Sequence, residues 1–150
     1  MVREQLKLKT VKKLKGSTKK YEAIFLRTKN GKEREIKRKF GASGMSDFTI
    51  HKDKERRNRY INRHKKDLRT NDPTRAGFLS MYILWNKPSF TSSVADFKRR
   101  LAIYNKTGKF PVQDLINDAV EESLKKGAKI EKEKVEEKKQ KEKDKFTVDL

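Results

Sequence analysis

Positive charge is concentrated in residues 52–66 of this sequence, where the side chains have the chemistry of anion binding. The run KDKERRNRYINRHKK holds eight lysines and arginines against two acids. In a helix, Arg56, Arg59 and Arg63 follow one another at i, i+3 and i+7, so they share one face. Such a face can neutralise phosphates or form bidentate hydrogen bonds with carboxylates.

We call the predicted binding surface the basic face. A solvated helical surface usually carries both signs of charge, whereas this one is almost entirely positive. Its partner is therefore predicted to be anionic or strongly polar. Base-specific recognition is not indicated, because no known reader motif accompanies the run, and any nucleic-acid contact would be independent of sequence. The basic face comprises Lys52, Arg56, Arg57, Arg59, Arg63 and Lys66.

Catalytic and metal-binding constellations are poorly represented. The chain has no cysteine, which excludes disulfides, thiolate metal sites and cysteine nucleophiles. The two histidines, His51 and His64, lack the HExxH spacing of a zinc protease. Ser46, Asp47 and Asp53 lie near His51, but no nucleophile elbow or oxyanion-hole loop accompanies them. We therefore predict capping or surface histidines, no metal, no cofactor and no enzymatic activity.

Composition bounds the size of the core and the kind of partner. Hydrophobic residues make up 33% of the 150 residues and charged residues 41%, with a formal net charge of +20. Residues 1–70 hold 24 lysines and arginines against 8 acids. Self-repulsion of this size favours a neutralising partner, whether nucleic acid, an acidic protein surface or an anionic membrane surface. The longest apolar run, 78–85, is too short to span a membrane.

The first 44 residues predict strands joined by tight turns. Residues 20–28 and 33–40 form a hairpin, because the intervening Asn30-Gly31 suits a type I′ turn. Residues 5–14 alternate weakly and carry many lysines, which is typical of an edge strand. The segment 41–44, GASG, predicts a plain turn, because the pattern of a phosphate-binding P-loop is missing.

The centre of the chain predicts helices that cover this sheet. The helix boundaries predicted from periodicity and capping are 52–66, 73–85, 92–106 and 111–126. Asp72 is the predicted N-cap of the second helix and Pro73 its first residue. The bulky apolar residues on the facing sides form the predicted core: Phe25, Phe78, Tyr82, Trp85, Phe97 and Leu101.

Together these elements predict an α+β protein. A small N-terminal antiparallel β-hairpin or three-stranded sheet packs with three to four helices. The predicted domain covers residues 20–126, with a basic arm or edge strand over 1–19. Residues 127–150 form a charged tail, in which the stretch 129–149 holds eight lysines and seven acids. The terminal FTVDL can add a strand to a neighbouring sheet.

Two stretches of the chain carry a resemblance to a known family. FGASGMSDFTIHKDKERRNRYINRHKK and NDPTRAGFLSMYILWNKPSF resemble small basic proteins encoded by large nucleocytoplasmic DNA viruses. Chloroviruses, mimivirus-like viruses, marseilleviruses and iridoviruses carry relatives. The resemblance covers about residues 20–100 and departs from the family pattern in the short DLRTND joint and in LSMYILW, where aromatic residues are often denser.

The resemblance implies where the protein occurs, in a virus particle, rather than how it works, because the function of that family is uncharacterised. It implies a minor capsid (cement) protein of a large icosahedral virion, on the inner side of the shell. Its expected partners are the major capsid protein and other minor capsid proteins, with host cytoplasm as the site of assembly. The alternative is a virion protein that binds viral DNA without sequence specificity.

Overall fold

The N-terminal part of the chain forms a three-stranded antiparallel sheet, which confirms the predicted α+β class. The structure is a computed structural model that describes residues 4–122 and residue 124. Strands β1 (Gln5–Lys13), β2 (Lys19–Lys29) and β3 (Lys32–Ala42) lie in the order β1-β2-β3. Residues 5–13 are therefore an edge strand of this sheet. The predicted tail, 127–150, lies outside the described residues.

The hairpin between β2 and β3 follows from its turn residues. Asn30 and Gly31 have φ values of 53° and 75°, as both central positions of a type I′ turn require. The turn fixes the register, so that Phe25 lies opposite Ile36 and Tyr21 opposite Phe40. These four side chains consequently share the face of the sheet that is turned towards the core.

A β-bulge keeps β1 in step with that face. The pairing register shifts between Leu8 and Thr10, which inserts one extra residue into the strand. Leu6 and Leu8 are buried before the bulge, and Val11 packs against the core after it. Without the extra residue, strict alternation would turn Val11 towards solvent.

Helices follow the sheet and cover its apolar face. They are α1 (Phe48–His51), α2 (Lys54–His64), a 3₁₀ segment (Lys65–Thr70), α3 (Ala76–Leu79) and α4 (Phe90–Thr107), followed by α5 over residues 113–122. Helix α3 continues directly into a π-helical turn (Ser80–Leu84). Helix α4 begins at the N-cap Ser89 and ends at Gly108, whose φ of 80° is typical of a glycine cap.

Two predicted helix starts were wrong, and in both cases the hydrogen bonds of a nearby aspartate, Asp53 or Asp72, explain why. Lys52 has a left-handed φ of 55° and ends α1, so α2 begins only after the N-cap Asp53. The carboxylate of Asp72 accepts hydrogen bonds from the backbone N–H and the hydroxyl of Thr74. This local turn over Pro73 competes with helix formation, and α3 therefore starts at Ala76.

The core contains five of the six residues predicted for it, with an unpredicted phenylalanine among them. Phe25, Phe78, Tyr82, Phe97 and Leu101 are buried, whereas Trp85 is only partly buried at the core margin. The ring of Phe110 lies edge-on to Phe78 at 5.3 Å and to Tyr82 at 5.0 Å. Phe110 thereby joins the segment after α4 to the centre of the core.

Helix α5 is attached to α2 and α4 through a row of acids. Asp114, Asp118 and Glu122 are four residues apart and share one face of the helix. Their cationic partners, in the same order, are Arg100, Arg57 and Lys54. Two of these contacts are hydrogen bonds of 2.6 Å (Arg100 to Asp114) and 2.8 Å (Arg57 to Asp118). Helix α5 therefore neutralises one side of α2.

Asp96 and Arg100 form a buried ion pair at the base of this attachment. Arg100 Nε donates to Asp96 at 2.7 Å, and Arg99 and Asn86 donate to the same carboxylate. Burial by itself raises the pKa of Asp96, but the hydrogen bonds from Arg100 and Arg99 outweigh it and lower the pKa below its usual value. Arg100 also donates to Pro111 O at 2.7 Å, which fixes the start of the segment leading to α5.

The acids of this network make stability depend on pH. The pKa of Asp114 is lowered by hydrogen bonds from Arg100, and that of Glu122 by a hydrogen bond from Lys54. A carboxylate with a depressed folded-state pKa stabilises the fold above its unfolded pKa, near 4, and loses that contribution as pH falls. We expect the urea midpoint to be constant near pH 7 and to drop below about pH 4.5.

A matched variant separates this effect from general charge repulsion at low pH. Asp114→Asn should lower the urea midpoint at pH 7, because it removes a carboxylate from Arg100. The difference from the wild type should shrink as pH falls below the unfolded pKa of Asp114, near 4, and vanish once the pH lies below the lowered folded-state pKa. A constant difference across this pH range would contradict the assignment of the acid sensitivity to this pair.

Candidate anion-binding cleft

A concave site lies between α2, the end of β3 and the π-helical turn. Its volume is about 490 Å³. One side is formed by the α2 residues Arg56, Arg59 and Arg63, and the other includes residues 41–42 and 45–47. Trp85, which directly follows the π-helical turn, contributes to the wall. We call this site the basic cleft.

Helix α2 divides its arginines between two environments. Arg56, Arg59 and Arg63 are exposed and line the basic cleft, as their spacing predicts. Arg57 is buried: its Nε donates to Asn86 O at 3.1 Å, and its Nη1 donates to Asp118. A step of one residue turns a helical side chain by about 100°, which carries Arg57 to the side facing α5.

The basic face predicted from the sequence is consequently smaller in the structure. Lys52 lies outside α2, and its Nζ donates to Pro88 O at 3.0 Å. Lys66 is exposed but belongs to the 3₁₀ segment and does not line the basic cleft. Of the six predicted residues, the structure brings Arg56, Arg59 and Arg63 together at one site.

The arginines of the basic cleft are largely free of acidic partners. Arg59 is 4.0 Å from Glu55 in an exposed ion pair, which contributes little in water. Salt bridges between α2 and described carboxylates are made by Lys54, Arg57 and Arg59. Asp47 also lines the cleft, but Lys20 Nζ donates to it at 2.6 Å and neutralises it. The cleft therefore offers exposed positive charge that is only weakly compensated.

Aromatic rings form the wall beside these arginines. The ring of Tyr60 stacks on the indole of Trp85 with centroids 4.2 Å apart and planes 5° from parallel. His64 lies 4.3 Å from Tyr60, and His51 lies 5.3 Å from Trp85. Burial raises the pKa of Tyr60 to about 12, so its hydroxyl stays neutral at physiological pH. Sequence reasoning placed Trp85 in the core and missed this stack.

His51, Asp47 and Asp53 accept hydrogen bonds from nearby backbone N–H groups. His51 Nδ1 accepts a hydrogen bond from the backbone N–H of Asp53 at 2.9 Å. Burial and the nearby Arg56 lower the pKa of His51, so the ring is neutral at physiological pH. The carboxylates of Asp47 and Asp53 cap α1 and α2, respectively. No group of three or more metal-ligating side chains occurs within the described part of the chain.

The end of β3 lines the basic cleft, and Gly41 is the residue that permits its close packing there. Gly41 has a φ of 78°, in the left-handed region that side chains disfavour. A Cβ at this position would lie 2.8 Å from Leu84 Cδ1 and 3.3 Å from Lys20 Cβ. The end of β3 thus packs directly on the π-helical turn.

Replacing Gly41 with alanine should destabilise the protein by about 2–4 kcal/mol, since left-handed strain and overpacking add. Gly44 is a matched control: its φ is 79°, but a Cβ there meets no atom within 4 Å. Gly44→Ala should therefore cost only the strain, about 1–2 kcal/mol. Urea unfolding of both variants measures the difference, and equal losses would show that the contact with Leu84 is unimportant.

Comparison with known proteins finds a similarity over part of the chain. Residues 9–64 match the model of a family of unknown function, DUF5754. The matched segment extends from within β1 to the end of α2, so it includes the three arginines of the basic cleft but not Trp85. No curated protein and no solved structure matches the chain. None of the described helices is both long and apolar enough to cross a bilayer.

Proposed function

We propose that the protein is a non-enzymatic nucleic-acid-binding protein that contacts the phosphate backbone without reading base sequence. The observation that carries this proposal is the concave site lined by the exposed side chains of Arg56, Arg59 and Arg63, of which Arg59 has an exposed ion pair with Glu55 that contributes little in water. Arginine presents a planar fork that hydrogen-bonds phosphate oxygens in pairs.

The spacing of the three arginines suits a repeating anion. Arg56 and Arg63 are seven residues apart, which corresponds to about 10 Å along a helix axis. Phosphates of one strand recur at about 3.4 Å along a duplex axis, so this length matches roughly three of them. The net charge of +20 would attract such a polyanion over a longer range.

Salt dependence tests this proposal directly. We expect a fluorescently labelled oligonucleotide to bind with an affinity that falls steeply with salt, because cations are released when phosphates are neutralised. Three contacted phosphates predict a slope of log K against log salt of about −2.7 on duplex DNA. Binding that is absent at low salt, or insensitive to salt, would overturn the proposal.

A second candidate is a minor capsid (cement) protein of a large icosahedral DNA virus. It would bridge the major capsid protein and other minor capsid proteins on the inner side of the shell, after assembly in the host cytoplasm. The resemblance over about residues 20–100 supports this candidate, as does the free edge of β3. No described residue pairs with that edge, whereas Asn105 hydrogen-bonds Leu6 on the corresponding edge of β1.

The two candidates predict different behaviour in particles. A bridging protein held by backbone pairing and apolar contacts should stay with shells that have been emptied of DNA and washed at moderate salt. A phosphate-binding protein should leave with the genome. The geometry of the basic cleft favours loss of the protein together with the genome. Retention in emptied shells would make the capsid role the preferred proposal.

A further inference from the structure

The basic cleft has an apolar component that phosphate binding does not use. Met45 lines it with 65% of its surface exposed, and Trp85 and Leu84 line it as well. An exposed methionine is a flexible, polarisable contact surface that adapts to flat ligands. The site thus combines apolar surface with three exposed arginines, which suits a ligand that is both anionic and flat.

The indole of Trp85 is held in place before any ligand arrives. Its parallel stack on Tyr60 and its contact with His51 restrict its rotation. Tyr60 contacts both Trp85 and His64, so the apolar surface offered to a ligand belongs chiefly to Trp85 and Met45. A preordered aromatic group loses little conformational entropy when a ligand binds.

The size of the basic cleft suits a single nucleotide better than a nucleic-acid duplex. Its volume of about 490 Å³ is in the usual range of small-molecule sites. A duplex presents a convex ridge of phosphates and keeps the faces of its bases stacked inside. A single strand can turn a base into a concave site and leave its phosphates at the rim.

We infer that the basic cleft accepts an unpaired base beside Met45 and Trp85, and that the protein binds single-stranded nucleic acid in preference to duplex. This inference rests on the proposed phosphate-binding function and specifies its ligand. Arg56, Arg59 and Arg63 hold the backbone, and the apolar surface takes the base. Contacts of bases with aromatic side chains typically change affinity by roughly 5- to 150-fold per base and tolerate any base.

Fluorescence provides a local readout, because Trp85 is the one tryptophan of the chain. The intact protein is titrated with a short oligothymidylate and, separately, with a duplex of the same length at the same salt concentration. We expect the single strand to bind about tenfold more tightly or better. We also expect it to quench or shift the emission of Trp85, whereas the duplex leaves the emission nearly unchanged.

Met45→Ala tests the contact with the base, and Ile50→Ala is its matched control. Met45 and Ile50 are 65% and 63% exposed, so neither is needed for the core, but only Met45 lines the basic cleft. Met45→Ala should weaken single-strand binding by about fivefold and leave duplex binding unchanged. Ile50→Ala should bind both like the wild type.

The outcomes separate this inference from the function on which it rests. Equal affinity for the two ligands with unchanged Trp85 emission overturns the single-strand inference but leaves phosphate binding intact. An equal loss in Met45→Ala and Ile50→Ala also overturns the inference. If neither the single strand nor the duplex binds at low salt, the proposed function itself is overturned.

Discussion

Replacing Arg100 with methionine should destabilise the protein by about 3–5 kcal/mol, the usual cost of leaving one member of a buried ion pair without its partner. The side chain of Arg100 is 6% exposed and that of Asp96 is 7% exposed. Arg100 also donates to Asp114 and Pro111, and it lies over the ring of Tyr82 at 5.1 Å. Its loss therefore leaves a buried carboxylate and releases the start of the segment leading to α5.

The neighbouring Arg99 is the matched control, because it donates to the same carboxylate at 2.8 Å but is 60% exposed. Water replaces an exposed cation easily, so Arg99→Met should cost less than about 1 kcal/mol. Urea unfolding at pH 7 measures both variants. Similar losses in the two, or a loss below 1 kcal/mol for Arg100→Met, would contradict the assigned role of the buried pair.

The parts of the fold that depend on local chemistry could be predicted from the sequence. Asn30-Gly31 specifies a hairpin because only a few residue types tolerate two successive positive φ values. Gly108 ends α4 for a similar reason. Phe25, Phe78 and Phe97 are bulky residues on the facing sides of the predicted hairpin and helices, and their burial confirms them as core residues.

The features that depend on distant contacts could not be predicted in this way. Arg56 and Arg57 are identical side chains at neighbouring positions, and Arg57 is the buried one because its partners, Asn86 O and Asp118, lie on its side of the helix. Trp85 reads as a core residue because it ends an apolar run, yet Tyr60 draws it into a surface stack. Phe110 follows the turn at Gly108 and is not part of a periodic apolar pattern, so its sequence context does not indicate that it lies at the centre of the core.

The candidate site was accessible to sequence reasoning only in part. The three arginines belong to one helix, so their shared face follows from the helical repeat. The remaining wall comes from segments that are far apart along the chain, including residues 41–42, 45–47 and 84–85. Bringing them together requires the packing of β3 on the π-helical turn at Gly41, which the sequence does not reveal.

The combined replacement of Arg56, Arg59 and Arg63 with glutamine should weaken oligonucleotide binding by roughly 100-fold or more. Each charge-assisted hydrogen bond contributes about 1.5 kcal/mol at the lower end of its usual range, and every 1.4 kcal/mol is a factor of ten. Because the three side chains are exposed, the variant should unfold within about 1 kcal/mol of the wild type. A large loss of stability would make the binding result uninterpretable as a site effect, so unfolding is measured first.

The most direct test compares this variant with one that loses the same charge elsewhere. Arg34, Arg38 and Arg69 are exposed and lie outside the basic cleft, so their replacement with glutamine removes three positive charges without altering the site. Single-strand affinity is measured for both variants at several salt concentrations. We expect the cleft variant to lose roughly 100-fold and about two units of salt slope, and the control to lose less than about fivefold. Equal losses would show that binding follows net charge alone and would contradict the assignment of the basic cleft as the binding site.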